Sequence, residues 1–293
     1  MRFNQVLSIC LSFLVSSSIA DGCNGNTALC DRKYSEVSQI GTHNSAFVGE
    51  LPVDNQELSV TDQLNGGIRM LQAQTHDFLK QIMLCHTSCF EKDAGLLVDY
   101  LKTIRTWMDA NPNEVITLLL TNGDNIDVAK FGAAMNNAGL ARYAYTPPKQ
   151  LALADWPTLQ RLITANSRLV MFMDYHSDTS KVSYILDEFS YFFETPFDVT
   201  DQNFNDCSLD RPKDSDPAGK MYIINHFLDV DIFGILIPDK DKTPRTNAAT
   251  GDGSIGAQSD LCTAKWGRKP KIVLVDYFEN GSVFKAQDVL NGF

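Results

Sequence analysis

The stretch LLVDYLKTIRTWMDANPNEVITLLLTNGD, residues 96 to 124, sets an amphipathic helix directly before a buried strand. Leu96, Leu97, Tyr100, Leu101, Ile104 and Trp107 recur at helical spacing, and Asn111-Pro112 stops the pattern. The run that follows is apolar almost without interruption, as a strand covered on both faces in a parallel sheet must be. Similar runs lie on either side: SEVSQIGTHN (35–44), GGIRMLQAQTHD (66–77) and QIMLCHTSC (81–89) before it, then RLVMFMDYHSD (168–178), KMYIINHF (220–227) and KIVLVDYFEN (271–280) after it. An eighth strand is expected within DVDIFGILIP (229–238), and further helices over VAKFGAAMNNAGL (128–140) and VSYILDEFSYFF (182–193). This alternation predicts an α/β fold, either a TIM-type barrel or an open sheet, in a single domain. No Gly-rich fingerprint follows the first strand, which counts against a dinucleotide-binding sheet. NAATGDGSIGAQSD (247–260) reads as a loose excursion late in the domain.

Residues 1–20 read as an export signal: Arg2, the apolar core VLSICLSFLV, then Ser18-Ile19-Ala20 before cleavage at Asp21. The expected product is a secreted chain, residues 21–293. Its cysteines are then Cys23, Cys30, Cys85, Cys89, Cys207 and Cys262, which allow fifteen pairings. Proximity favours Cys23–Cys30 and Cys85–Cys89, leaving Cys207–Cys262 to close a long loop. A zinc site at Cys85, His86 and Cys89 is the rival reading, but no second pair with the usual spacing accompanies it. Asn280-Gly281-Ser282 is a sequon. The formal charge is −11, or −12 once Arg2 is lost. That balance argues against nucleic acid and against general attraction to anionic membranes.

The five histidines, His43, His76, His86, His176 and His226, all fall at or just beyond strand candidates. In a barrel those ends share one rim, where active sites are built. This favours the barrel over the open sheet. Histidine titrates near neutral pH without tuning, so His43 and His86, from the first and third strands, suit acid–base work. Asp276 ends the last strand, which in a closed barrel neighbours the first, and it can hold the His43 tautomer. Asn44 can hydrogen-bond a bound oxygen. His43 as a strand cap and His86 as a loop residue is the plainer alternative.

GTHNSAF (41–47), QLNGGIRMLQAQTHD (63–77) and MLCHTSC (83–89), with the stretch quoted first, resemble the catalytic domain of phosphatidylinositol-specific phospholipase C. They resemble still more the exported, fungal-type phosphodiesterases of that X-domain pattern. The likeness runs from about Tyr34 to Asn122 and resumes at KIVLVDYFENGSVFKAQDVLNG (271–292). It implies a distorted TIM-type barrel and cleavage of the phosphodiester of phosphoinositides or related lipids. It further implies that His43 is base on an attacking inositol hydroxyl, that His86 protonates the leaving oxygen of diacylglycerol, and that Asp276 orients His43.

One part of the pattern is absent. Eukaryotic members hold calcium through carboxylates that align with Gln72, Gln74 and a position near Thr121, all neutral here. Bacterial members set an arginine where Gln74 stands. Asn44 remains as a lone calcium-type ligand, too little to bind the ion, so no cofactor is expected. Arg69, five residues before Gln74, should point to the opposite face and serve structure. Lys80, Arg211, Lys213 and Lys220 are loose candidates for the missing cation, each read more simply as a surface charge. Gln72 and Gln74 remain neutral hydrogen-bond donors to a substrate. Asp174 is the best further substrate ligand, beside His76, Asp77, Asn122, Asp124, His176, Asn225 and His226 as polar strand ends. EFSYFFETPF (188–197) is either a lipid-dipping segment or, more simply, a helix packed on the barrel.

The reading is a secreted phosphodiesterase of phospholipase C type that works on a phospholipid or related phosphodiester without calcium, touching a membrane surface only transiently. The alternative is a catalytically silent barrel that binds a phosphorylated lipid or sugar headgroup. A metal-dependent phosphodiesterase on the same barrel is disfavoured by the glutamine pair.

Overall fold

The computed structural model describes residues 22–293. The export signal and Cys10 lie outside the described residues. Among the described residues twelve strands are formed: β1 (Gln39–Thr42), β2 (Met70–Phe78), β3 (Gln81–His86), β4 (Lys92–Leu96), β5 (Ile116–Thr121), β6 (Leu169–Met173), β7 (Ile185–Asp187), β8 (Phe192–Glu194), β9 (Met221–Asn225), β10 (Asp229–Ile232), β11 (Ile235–Pro238) and β12 (Ile272–Val275). Eight of them form one parallel wall in the order β7-β6-β5-β2-β1-β12-β9-β8. That order follows the chain around a circle and leaves a seam between β7 and β8, so the fold is an open, distorted TIM-type barrel. The first and last strands are neighbours, in register from Gln39↔Ile272 to Thr42↔Val275. Gly41 permits their close packing: a Cβ there would stand 3.0 Å from Leu274 Cδ2 and from the Met70 side chain.

The uninterrupted apolar runs are explained by two cores, one on each face of the wall. Leu118 and Leu120 of β5, Leu71 and Ala73 of β2 and Val273 and Val275 of β12 point outward. There they meet Leu97, Leu101 and Ile104 of the helix Leu97–Ala110. Leu119, Met70, Ile272 and Leu274 point inward, with Phe172 and Phe192. Period-two alternation then fixes the facing of the polar residues beyond them. Gln72, Gln74 and Asp276 continue the inward series, whereas Arg69 is outside. Arg69 bonds Glu114 at 2.6 Å and lies over the Trp107 ring, the structural role expected of it.

Three expected elements take other forms. QIMLCH is no barrel strand: β3 pairs antiparallel with the far half of β2, from Thr75↔Leu84 to Phe78↔Gln81, as a hairpin rising off the wall. DVDIFGILIP is not the eighth barrel strand but an antiparallel ribbon, β10–β11, separate from the main sheet. VSYILDEFSYFF is not one helix. It supplies β7, the short helix Glu188–Tyr191 and β8, whose strands pair with β6 and β9. The excursion at 247–260 is half helix, since the helix Ile255–Trp266 begins inside it, capped by Ser254.

Disulfides join Cys23–Cys30, Cys85–Cys89 and Cys207–Cys262, as proximity suggested. The last spans 55 residues and ties the segment after β8 to the helix Ile255–Trp266. Loop-closure entropy puts its contribution at about 4 kcal/mol. The double variant Cys207→Ser/Cys262→Ser is therefore expected to unfold at a urea midpoint well below that of the intact chain. A midpoint unchanged from wild type would refute that estimate.

Candidate active site

The inward ends of the strands open into a cavity of about 940 Å³. Its floor is apolar, from Leu119 and Leu274, and its rim is polar. His43 stands just after β1, its ring stacked flat on Phe227 with centroids 3.7 Å apart and planes 4° apart. Its Nδ1 lies 2.9 Å from Asp276 Oδ1, at the end of the neighbouring β12. A carboxylate partner assigns the proton to Nδ1, which leaves Nε2 as the basic nitrogen. Asn55 donates to the other oxygen, Asp276 Oδ2, at 3.0 Å. Because Nδ1–H already points at Asp276, the 3.4 Å approach of the Asn55 amide to His43 Nδ1 is a contact rather than a second bond. Gln56 donates to the His43 carbonyl at 2.8 Å and fixes the backbone.

His86 ends β3 and lines the same cavity. The hairpin, not a barrel strand, brings it there, and the four-residue Cys85–Cys89 bridge holds its loop. Gln74 steadies that loop by accepting from Thr87 N–H at 3.1 Å. Burial pushes the His86 pKa down to about 4, the neighbouring His43 adds to the drop, and Asp54 opposes it. Its Nδ1 has no hydrogen-bond partner. The imidazole is therefore a neutral ring whose Nδ1 is buried without a hydrogen bond, 3.9 Å from Glu91 Oε1, and it lies close enough to His43 to feel its charge.

Gln72 and Gln74 both line the cavity, but each amide oxygen is already engaged. Gln72 Oε1 accepts from Asn44 N–H at 2.7 Å, which supports Asn44 at its positive φ of 48°. The Asn44 side chain is buried with both polar atoms unpartnered, and it does not reach the cavity wall. Thr121 lines the wall, its carbonyl accepting from Thr75 Oγ1. Calcium needs several hard, charged oxygens directed at one point. Two neutral amides occupied by backbone N–H groups and one side chain outside the wall do not make that set.

Across the cavity, beside the β7–β8 seam, lies a group of charges. Asp174 Oδ1 accepts from the N–H groups of Asn122 and Tyr175, both at 2.7 Å, yet burial pushes its pKa up to about 6. Burial also raises Glu188 well above the carboxylate range, helped by Glu194. Burial works against charge at Glu194 too, but Arg211 holds it ionised through contacts of 3.1 and 2.5 Å to Oε2. Asn225 donates to that same oxygen at 3.0 Å. Arg211 also lies over the Phe197 ring, 4.6 Å from its centroid. Among the described residues it is the one Lys or Arg in the cavity lining. Lys80, Lys213 and Lys220 are not in that lining.

Of the remaining strand-end residues, His76 lines the cavity, 3.2 Å from Asp124. His176 is exposed, and His226 is buried elsewhere, its ring nitrogens 2.6 Å from Gln258 Oε1 and 2.8 Å from Thr246 O. Asp77 pairs with Lys130, and Asn122 donates to Ile126 O, so both serve structure. EFSYFFETPF contributes Glu188, Glu194 and Phe197 to the cavity rather than an outer helix. Asn55, Asp198, Phe227 and Asp229 also line the site and escaped sequence reasoning. Burial raises the Asp229 pKa to about 7, Asp276 and Asp198 adding to it against His43.

The PI-PLC X family profile, described as PI-PLC X 1, matches residues 29–291. A PI-PLC X domain-containing protein 1 of Arthroderma benhamiae is 53% identical over 272 residues, covering 92% of this chain and 89% of that one. A second protein of that fungus, named as an uncharacterized secreted protein, is 44% identical and covers 92% of this chain and 64% of its own. Among solved structures, the phosphatidylinositol-specific phospholipase C of Listeria monocytogenes superposes with a TM-score of 0.60 at 17% identity. That match covers 90% of this chain and 96% of the Listeria chain, and the likeness is one of fold. With the profile spanning nearly the whole barrel and a relative more than half identical, the chain belongs to the PI-PLC X domain family.

Proposed function

We propose that the protein is a secreted phosphodiesterase of phospholipase C type, residues 21–293 after removal of the signal, which cleaves a phospholipid or related phosphodiester without calcium. The observation that carries this reading is the His43–Asp276–Asn55 chain facing the same cavity as His86. His43 Nε2 takes the proton of an attacking hydroxyl, on the substrate itself or on water. The oxygen bonds to phosphorus as the P–O bond to the leaving group breaks, and His86 in its protonated form delivers a proton to the departing oxygen. Negative charge on the non-bridging oxygens requires a cation, and Arg211, the one Lys or Arg in the cavity lining among the described residues, is the candidate for it. Three disulfides suit an oxidising compartment.

A second reading, a headgroup-binding barrel without turnover, draws on the fact that Glu194 already holds the Arg211 charge. A fluorogenic inositol phosphodiester separates the two. Turnover should persist in chelator and fall about 10²-fold in Arg211→Ala. Turnover that needs added calcium would overturn the calcium-free reading. Binding without turnover, from folded protein, would favour the silent barrel.

A further inference from the structure

The two halves of the site come from different parts of the chain, and one buried ion pair joins them. The loop 47–56, beyond β1, carries Asn55, whose amide holds Asp276. The hairpin β3–β4 carries His86. Lys92 stands directly opposite His86 in that hairpin, so the two side chains share one face. Lys92 Nζ lies 2.5 Å from Oδ1 of Asp54, the residue before Asn55, and donates to Val48 O at 3.2 Å. Asp54 is fully buried. Its Oδ2 accepts from Leu51 N–H at 2.9 Å, and its carbonyl accepts from the hydroxyl of Tyr277, one residue past Asp276. Tyr277 N–H donates in turn to Asn55 O at 2.9 Å. Gly49 leaves room for this junction, since a Cβ there would stand 2.2 Å from Asp54 Oδ2. Phe47, from the same loop, sets its ring against the His86 ring with centroids 5.3 Å apart.

A buried carboxylate costs stability unless it is paired, and neither Asp54 nor Lys92 lines the cavity. The pair acts instead on what it joins. We propose that Asp54, clamped by Lys92, is a positioning residue that sets His86 against the His43–Asp276–Asn55 chain and turns a buried negative charge toward its ring. The charged groups around that ring are His43, Asp54, Glu91 and Lys92. Glu91 is exposed, so water screens it, whereas the Asp54 field passes through protein. Asp54 accordingly works against the fall in the His86 pKa that burial and His43 produce. The consequence for rate rests on the phosphodiesterase reading. The consequence for the ring needs no turnover, so the two can fail separately.

Asp54→Asn keeps the side-chain shape and removes the charge. In the folded variant the His86 ring resonances, followed by NMR with and without an inositol phosphodiester, should titrate about half a pH unit or more below those of wild type. On the fluorogenic inositol phosphodiester, kcat should fall about tenfold or more while KM changes less than about threefold, because the clamp places the acid and touches no substrate. Breaking a buried pair from one side can unfold a domain, so a second variant is needed. Asp54→Leu/Lys92→Met fills the same space with apolar groups, should fold, and should also lower the His86 titration, since Asp54 is the carboxylate that holds it up. An unmoved His86 titration in the folded variants would overturn the inference. So would wild-type kcat in Asp54→Asn, or a loss that falls on KM alone.

Discussion

Replacing His43 with alanine is expected to lower kcat on a phosphodiester substrate by about 10³-fold, the range lost when a positioned general base is removed. The melting temperature should move little by comparison, since the ring packs at the cavity edge against Phe227. Asp276→Asn should cost on the order of 10²-fold or more, because an amide does not favour the Nδ1–H tautomer as a carboxylate does. The Asp276 backbone carbonyl, which accepts from Asn247 Nδ2 at 2.8 Å, is unaffected by that change. Asn55→Ala should cost about tenfold, because it frees one carboxylate oxygen without removing the pair. The ordering His43, then Asp276, then Asn55 is the signature of a base held by a carboxylate held by an amide. Initial rates with each purified variant, beside circular dichroism, measure it. Wild-type rates from folded His43→Ala would remove His43 from the chemistry.

The inward placement of that site was legible because a strand has a period of two. Once Met70 and Leu274 face the interior, Gln72, Gln74 and Asp276 must follow, and Arg69 must not. The partners of the wall were harder to read. QIMLCH has the composition of a buried strand, and nothing in a six-residue run says whether its neighbour is parallel. The hairpin turn that decides the matter uses Leu79 and Lys80 at positive φ, without the Gly or Asn that would announce it. VSYILDEFSYFF has a helical period over most of its length. Pairing of Ile185–Asp187 with β6 and of Phe192–Glu194 with β9 overrides it, leaving only Glu188–Tyr191 helical, capped by Asp187 on Ser190 N–H. Asn55 sits in a polar loop and gains its meaning from a residue 221 positions away. Arg211 lies in RPKDSDP, which reads as solvated surface. Its charge is drawn into the wall by Glu194, a carboxylate that strand β8 buries and that needs a counter-ion to remain ionised.

Binding of an inositol phosphodiester should tighten as pH falls, and most of that change should belong to His86. With burial holding its pKa at about 4, the free protein carries roughly one protonated His86 in 10³ at pH 7. An anion bound against the ring favours the charged form and raises that pKa. Affinity then rises about tenfold per pH unit from the pKa of the complex down to about 4, and levels off below it. A diester carries a single charge that does not itself titrate over this range, so the slope reports the protein. Asp229, with a pKa of about 7, and Asp174, at about 6, line the same cavity and lose charge in the same interval, which adds a slope of the same sign. His43, Glu91 and Asp198 also face the bound group, and all are retained in the comparison of wild type with His86→Gln. That variant should keep the carboxylate contribution and lose the tenfold-per-unit part. Calorimetry from pH 4 to 8 supplies the affinities, and the ring resonances of His86 with and without ligand supply the two pKa values directly. An unmoved His86 resonance, or the same pH dependence in His86→Gln, would mean that the imidazole does not meet the phosphate. A proton shared between His86 and the bound anion is what the second half of an acid–base pair requires, and this measurement registers it even if the bond is never broken.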